Sequence, residues 1–186
     1  MTIPYRKKEP MNIPDEVGLV IAMLRDDLLN HKLKHVVPHE NIIRKSAETF
    51  LELPAIVVEK VGSEKMLTAE PLPPDGRLGY QWGAEIQIDC VAPRDIYTYY
   101  PPPDPGELGT DETRYDGAEN FLRVPAWIVF AILSENREGY SDNAGLTIDD
   151  IQPTSYVYEA GGYNGVSDLW AISQTFMFTF EMEVEP

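Results

Sequence analysis

The stretch DLWAISQTFMFTFEMEVE, residues 168–185, decides how the chain folds. Trp170, Ile172, Phe176, Phe178, Phe180, Met182 and Val184 all fall on even positions. Side chains in a strand alternate between two faces, so this spacing makes a long strand with one apolar face. The odd positions are Ala171, Ser173, Thr175, Met177, Thr179, Glu181, Glu183 and Glu185, small or polar and finally acidic. That second face is expected to meet water or a partner. Burial of large apolar side chains at about 1.5–3 kcal/mol each outweighs what the three terminal glutamates oppose, so the strand is expected to be the central one. It is far longer than the usual length of about 5–6 residues, and a projecting strand tends to pair with something.

Working back along the chain, a second alternating run puts Trp82, Ala84, Ile86, Ile88, Cys90 and Ala92 on one face, matching the final strand. Pro54 to Val61 is a β-branched strand bounded by Pro54 and Gly62. Ile148 to Glu159, interrupted at Pro153, leads through the turn Gly161–Gly165 into the final strand as a closing hairpin. The segment Val36–Arg44 is a short strand candidate, and Ser46–Glu52 a turn of helix. Gly62–Gly79 holds Pro71, Pro73, Pro74 and Asp75-Gly76, and so reads as a long connection or an extended hairpin.

Two helices stand out. Asn12 can cap the first, with Pro14, Asp15 and Glu16 in its first turn and Val17, Val20, Ile21, Leu24 and Leu28 as its apolar stripe, giving a helix from about Pro14 to Asn30. Asp116 can cap the second, whose stripe is Ala118, Phe121, Leu122, Pro125, Ile128, Val129, Ile132 and Leu133. Pro125 removes a backbone donor and predicts a kink or a late start. Val124, Trp127, Phe130 and Ala131 widen the apolar surface beyond one stripe, so Trp127 and Phe130 are candidates for contact with a further partner, such as another subunit. The fold class is α+β: a mainly antiparallel sheet with two principal helices packed on it and a long C-terminal strand. Residues 1–12 read as a flexible leader and 13–186 as a single domain with long loops at 62–80 and 93–115.

The formal charge of the 186 residues is −16. Residues 1–60 hold nine basic and nine acidic side chains, so the whole excess lies beyond them. Such a field disfavours gripping nucleic acid or anionic lipid, both of which need basic patches. It does not disfavour DNA passing through a conduit, where carboxylates prevent adhesion; solubility alone is the plainer account of the charge. No run of about 18 uncharged apolar residues exists and the basic Arg6-Lys7-Lys8 precedes no apolar segment, so neither a membrane span nor a signal peptide is expected. The one cysteine, Cys90, sits on the apolar face of its strand and reads as a small buried hydrophobe rather than a nucleophile.

Motifs that carry chemistry are scarce. There is no Gly-Lys-Ser phosphate loop, dinucleotide turn, nucleophile elbow or Cys-x-x-Cys pair. His31, His35 and His39 are four apart, but Val36-Val37-Pro38 interrupts the helix that would align them, so no metal is expected. Glu85 and Asp89 share a strand face, which in so acidic a chain reads as a solvated face rather than an acid/base pair. Tyr97, Tyr99 and Tyr100 run into Pro101-Pro-Pro-Asp-Pro105-Gly106, which serves equally as a docking surface or as loop decoration. No catalytic residue, cofactor or metal is expected, and the chain is not read as an enzyme.

The order of elements, with Leu53-Pro54-Ala55-Ile56 opening one strand, Gln87-Ile88-Asp89-Cys90 inside the next and the helix from Asp116 to Asn136, resembles the tail terminator proteins of long-tailed bacteriophages over roughly residues 13–185. The resemblance implies a virion protein of the tail-neck region, made in the host cytoplasm. It would form a ring, typically a hexamer, that binds the last ring of tail-tube protein and stops tube growth. The ring would also present a surface to the head-completion or connector protein. DNA would pass through without specific binding, with Glu181, Glu183 and Glu185 as first candidates for acids facing the lumen. The proline-rich insertions at 62–79 and 93–115 and the basic leader depart from shorter members of that family. Related neck and head-completion proteins share the architecture. A soluble ligand-binding or enzymatic α/β domain, with a site built from the tyrosine loop and the histidines, is the alternative from a different class.

Overall fold

The computed structural model describes residues 14–26, 33–45, 52–62, 65–72, 77–99, 106, 108–110, 114–136, 139–142, 145–159 and 162–184. The expectations for the 1–12 leader, Asn12, Leu28, His31, residues 46–51, Tyr100 and Glu185 lie outside those residues. Strand β9 (Leu169–Val184) is the spine, paired antiparallel with β4 (Arg77–Pro93) on one side and with β8 (Leu146–Glu159) on the other. Strands β2 (Ala55–Lys60) and β3 (Lys65–Leu72) pair antiparallel with successive halves of β4. Strand β1 (Ile42–Arg44) runs parallel to β2, and β7 (Tyr140–Ser141) pairs with the start of β8. The order across the sheet is β1-β2-β4-β9-β8-β7, with β3 beside β4.

Alternation puts Ile172, Phe176, Phe178 and Phe180 of β9 on one buried face beside Ala84, Ile86, Ile88 and Cys90 of β4. Helix α1 (Glu16–Asp26) packs on the β1-β2 end of that face, and the helix pair α2 (Ala118–Phe121) and α3 (Arg123–Glu135) packs on the β9 end. Val20, Met23 and Leu24 of α1 join Val129, Ile132 and Leu133 of α3 in one core cluster with the even face of the sheet. The fold is thus α+β with the helices on one side only, and the expected centrality of the last strand holds. Cys90 is fully buried, and burial, followed by the neighbouring Asp89 carboxylate, pushes its thiol pKa up and out of the reactive range.

Several local expectations are corrected. Helix α1 starts at Glu16, and its cap is Asp15, whose Oδ1 accepts the Gly18 N–H at 2.9 Å. Burial pushes the Asp15 carboxyl pKa up, but the Gly18 N–H and the Arg44 guanidinium beside it outweigh that and leave it lowered. The segment 36–44 is strand only from Ile42; before it the chain makes 3-10 turns at Leu33–His35 and His39–Asn41, with Asn41 N–H bonded to the Pro38 carbonyl at 2.9 Å. Within 62–79 the described residues 65–72 and 77–79 take the extended-hairpin option as β3 and the start of β4. Within 93–115, Tyr97–Tyr99 forms β5, which pairs with β6 (Arg114–Asp116) in a separate two-stranded sheet. Asp116 therefore ends a strand and does not cap a helix: Gly117, at φ 83°, precedes α2, and the Ala118 N–H bonds the Arg94 carbonyl.

Pro125 acts as its chemistry requires. It has no N–H to give to the Phe121 carbonyl, and the chain breaks at Leu122 so that Pro125 falls in the first turn of α3, where that donor is not needed.

Among the described residues, the opposite face of the sheet is covered at one end only. Tyr163 packs on Val57, Val91 and Ala171, carried there by a tight turn whose Asn164 and Gly165 both have positive φ, with the Val166 N–H bonded to the Tyr163 carbonyl at 3.1 Å. Its Oη donates to Asp89 Oδ2 at 2.8 Å while Gln87 Nε2 donates to Oδ1 at 2.8 Å. Burial first, then the Asp89 charge, push the Tyr163 pKa up. A raised acid holds its proton in the folded state where the unfolded chain loses it, so this contribution is complete below about pH 10 and is lost as pH rises beyond. Tyr163→Phe is expected to cost about 1–3 kcal/mol, because Asp89 is left short of a buried donor. Urea unfolding near neutral pH and again above about pH 10 checks this: the gap between wild type and variant should narrow at the higher pH.

Candidate functional site

Two surfaces of the sheet are candidates. The first is the uncovered face beyond Tyr163. Because β4, β8 and β9 keep register, Gln81 lies across from Glu181, Glu85 from Met177 and Gln87 from Thr175, while β8 adds Thr147, Asp150 and Gln152. Gln81 Nε2 donates to Asp149 Oδ2 at 2.7 Å and Gln152 Nε2 to Asp150 Oδ2 at 2.7 Å, which holds these carboxylates on the sheet. Lys45 pairs with Glu59 at the margin, its Nζ 2.5 Å from Oε2. The rest of this face, among the described side chains, is neutral or acidic. A surface of this kind repels polyanions.

The second surface is apolar and lies along the β8 side. Trp127 of α3 is 69% exposed, with its ring stacked on that of Phe130, 5.9 Å between centroids. Ile128, Val129 and Ile132 of the same helix are buried, so α3 sends one stripe into its own core and leaves Trp127 outside, with Phe130 partly buried against the core between them. Beside it Tyr156 and Tyr158 are exposed, and the Tyr158 ring meets that of Trp170 edge-on. Exposed aromatic side chains grouped in this way make a candidate contact surface. Ile132→Ala is expected to lower monomer stability by about 2–5 kcal/mol, whereas Trp127→Ala should leave it within about 0.5 kcal/mol. Denaturant unfolding of the two variants makes the comparison; equal losses would contradict the division of the helix.

The structure brings Trp127 and Phe130 together and keeps Tyr97 elsewhere, on β5 with the Arg114 guanidinium 5.7 Å from its ring. Tyr99 pairs with Arg114 in the ladder, and no more than its backbone is described. Glu181 lies half-buried on the uncovered face, and Glu183 faces Gly79 in the register of the same strand. His35 and His39 are exposed on the two 3-10 turns, and no group of His, Cys, Asp and Glu among the described residues has metal-binding geometry. The Glu85–Asp89 pair is divided: Asp89 is buried as an acceptor for Tyr163 and Gln87, while Glu85 is half-exposed. Among the described residues no helix is long and apolar enough to cross a membrane.

One residue of the second surface was missed by the sequence reading. Gln174 occupies an even position of β9 between Ile172 and Phe176, and is 3% exposed. Its Nε2 donates to the Ala126 carbonyl at 3.1 Å, while its Oε1 is buried without a hydrogen-bond partner. It lines a groove with Phe130, Pro153, Ser155, Tyr156 and Phe176. The signal was present in the sequence: it is the one strongly polar residue in an otherwise apolar series.

The sheet and the helices packed on it define an α+β protein with two candidate surfaces. No family model and no curated protein matches the chain. Among solved structures, a chain of the virion of a native gene transfer agent particle is similar at a TM-score of 0.40 and 12% identity, covering 90% of this chain and 99% of that one. A likeness that distant fixes no role.

Proposed function

We propose that this chain is a structural virion protein that assembles into a ring at the end of a phage tail tube, stops tube growth and joins the tail to the head. The observation that carries this is the pairing, on one sheet, of an exposed aromatic flank around Trp127 with an uncovered acidic face around Glu85 and Glu181. A ring of identical subunits needs an apolar contact between neighbours, and a conduit for DNA needs a wall on which phosphate finds no resting place. The flank around α3 and β8 is the candidate for the first and the acidic sheet face the candidate for the second. The role requires no catalytic group, metal or cofactor. Its partners are further copies of itself, the tail-tube protein and the head-completion or connector protein, and DNA passes without being bound. The likeness to a gene transfer agent virion chain is too remote to add weight.

The test is tube length. Tail-tube protein from the same genome, polymerised with and without this chain, is examined by electron microscopy. Tubes capped at one end and arrested in length are expected. Tubes that grow unchanged and carry no density at either end would overturn the proposal.

A further inference from the structure

We infer that the outer edge of β8 is where a second copy of this chain docks, continuing the sheet from one subunit to the next by pairing with the outer edge of β3. This rests on the ring proposed above and specifies how it closes.

The inner side of β8 is paired with β9 along its length, but on its outer side the only described strand is β7, opposite Thr147 and Ile148. Beyond that point no described residue pairs with the strand, which presents a row of backbone groups on that side. Sheet edges that face water are usually blunted by charge, cover or irregularity. This edge instead carries Tyr156, Val157 and Tyr158, with side chains exposed on both faces of the sheet. Pro153, at a break in register, offers no N–H and limits any added ladder to Ser155–Glu159.

The other flank is treated differently. At β1 the Arg25 guanidinium donates to the Ile42 carbonyl at 2.8 Å and to the His39 carbonyl just before the strand at 3.1 Å, covering the start of that edge with a side chain. Strand β3 lies on the same side of β4 as β2 and, among the described residues, pairs only with β4. The sheet thus has two open edges on opposite sides, both belonging to this chain. Joining unlike edges gives a head-to-tail contact that repeats and, where its rotation closes, makes a ring, whereas joining like edges stops at a dimer. A second copy satisfies both rows at once, which a single unrelated partner on β8 does not.

The groove beside the edge supplies an independent observation. Gln174 Oε1 is a buried acceptor with no donor, between α3 and β8. Leaving such a group unpaired is costly, and an N–H or O–H from a neighbour lying along β8 satisfies it.

The experiment is hydrogen–deuterium exchange on the full chain, as free subunit and as assembled ring without tail tubes, together with Val157→Lys and Gln174→Leu. On assembly the amides of Ser155–Glu159 are expected to slow by about tenfold or more. Val157→Lys, a charge on an exposed edge position, should weaken assembly by at least about tenfold with an unchanged unfolding midpoint. Gln174→Leu should weaken assembly by about tenfold without lowering that midpoint, which a purely structural glutamine would not do. Rings in which Ser155–Glu159 exchange as in the free subunit, or that Val157→Lys forms as readily as wild type, overturn the edge contact and leave the ring standing. Protection that appears only when tail tubes are added assigns the edge to the tube protein and also overturns it. A chain monomeric under all these conditions overturns the ring and the contact together.

Discussion

Phe178→Ala is expected to lower the free energy of unfolding by about 3–5 kcal/mol, a large share of the roughly 5–15 kcal/mol that a domain possesses. Phe178 is fully buried at the middle of β9, stacked on Phe180 at 5.7 Å and edge-on to Phe176 at 6.3 Å. It lies opposite Ala84 of β4 and Ile151 of β8, so its neighbours on either side belong to strands already fixed by their own pairing. They have little freedom to close the cavity, which places the loss toward the upper part of the range. Equilibrium urea unfolding measures it. A loss under about 1 kcal/mol would mean that β9 is not the strand on which the core is built.

The second large effect concerns charge. Glu85 and Glu181 lie on the same uncovered face, and Glu85→Lys with Glu181→Lys reverses that face in every subunit of a ring. If the face lines the channel, phosphates gain partners, and DNA that the wild-type ring lets through should be held. Release of counterions then makes the hold steeply salt-dependent, with affinity falling by about 10³-fold or more between 50 and 200 mM salt if six to ten phosphates are contacted. Particles carrying the altered ring are expected to eject DNA slowly at low salt and to recover as salt screens the attraction. Normal ejection from particles shown to contain the variant would leave solubility as the account of the −16 charge.

Much of this architecture is readable from residue spacing, because burial on one face of a strand or helix imposes a period on the sequence. Ile172, Phe176, Phe178 and Phe180 of β9, Ala84, Ile86, Ile88 and Cys90 of β4 and the stripe on α3 are buried where their periods place them, while Trp82, Trp170 and Met182 at the ends are partly buried. Pro125 marks the break between α2 and α3 through a missing donor, a local property of one residue. What spacing does not carry is pairing. The alternation in Ile148–Glu159 reads the same whether the strand is interior or at an edge, and the exposure of Tyr156 and Val157 follows from the absence of a described strand beyond β8. The three-residue strands β5 and β6 are too short to leave a period, so Tyr97 read as part of an irregular loop. Asn12 and Asp116 read as the caps in sequence; α1 is instead capped by Asp15, and Asp116 lies in the ladder with Tyr97, leaving Gly117 to precede α2. Gln174 needed the fold: its polarity is visible in sequence, but its orphaned oxygen depends on where α3 and β8 pass.

The central claim is that identical copies close into a ring on the aromatic flank, with the acidic sheet face turned to the channel. The most direct measurement is the mass of the purified chain at micromolar concentration, alone and with tail tubes, combined with electron micrographs of the same samples. The account predicts closed rings with an open centre, free or seated on tube ends, in which Trp127 and Phe130 lie between subunits and Glu85 and Glu181 face the opening. A strict monomer both alone and in the presence of tubes would contradict it.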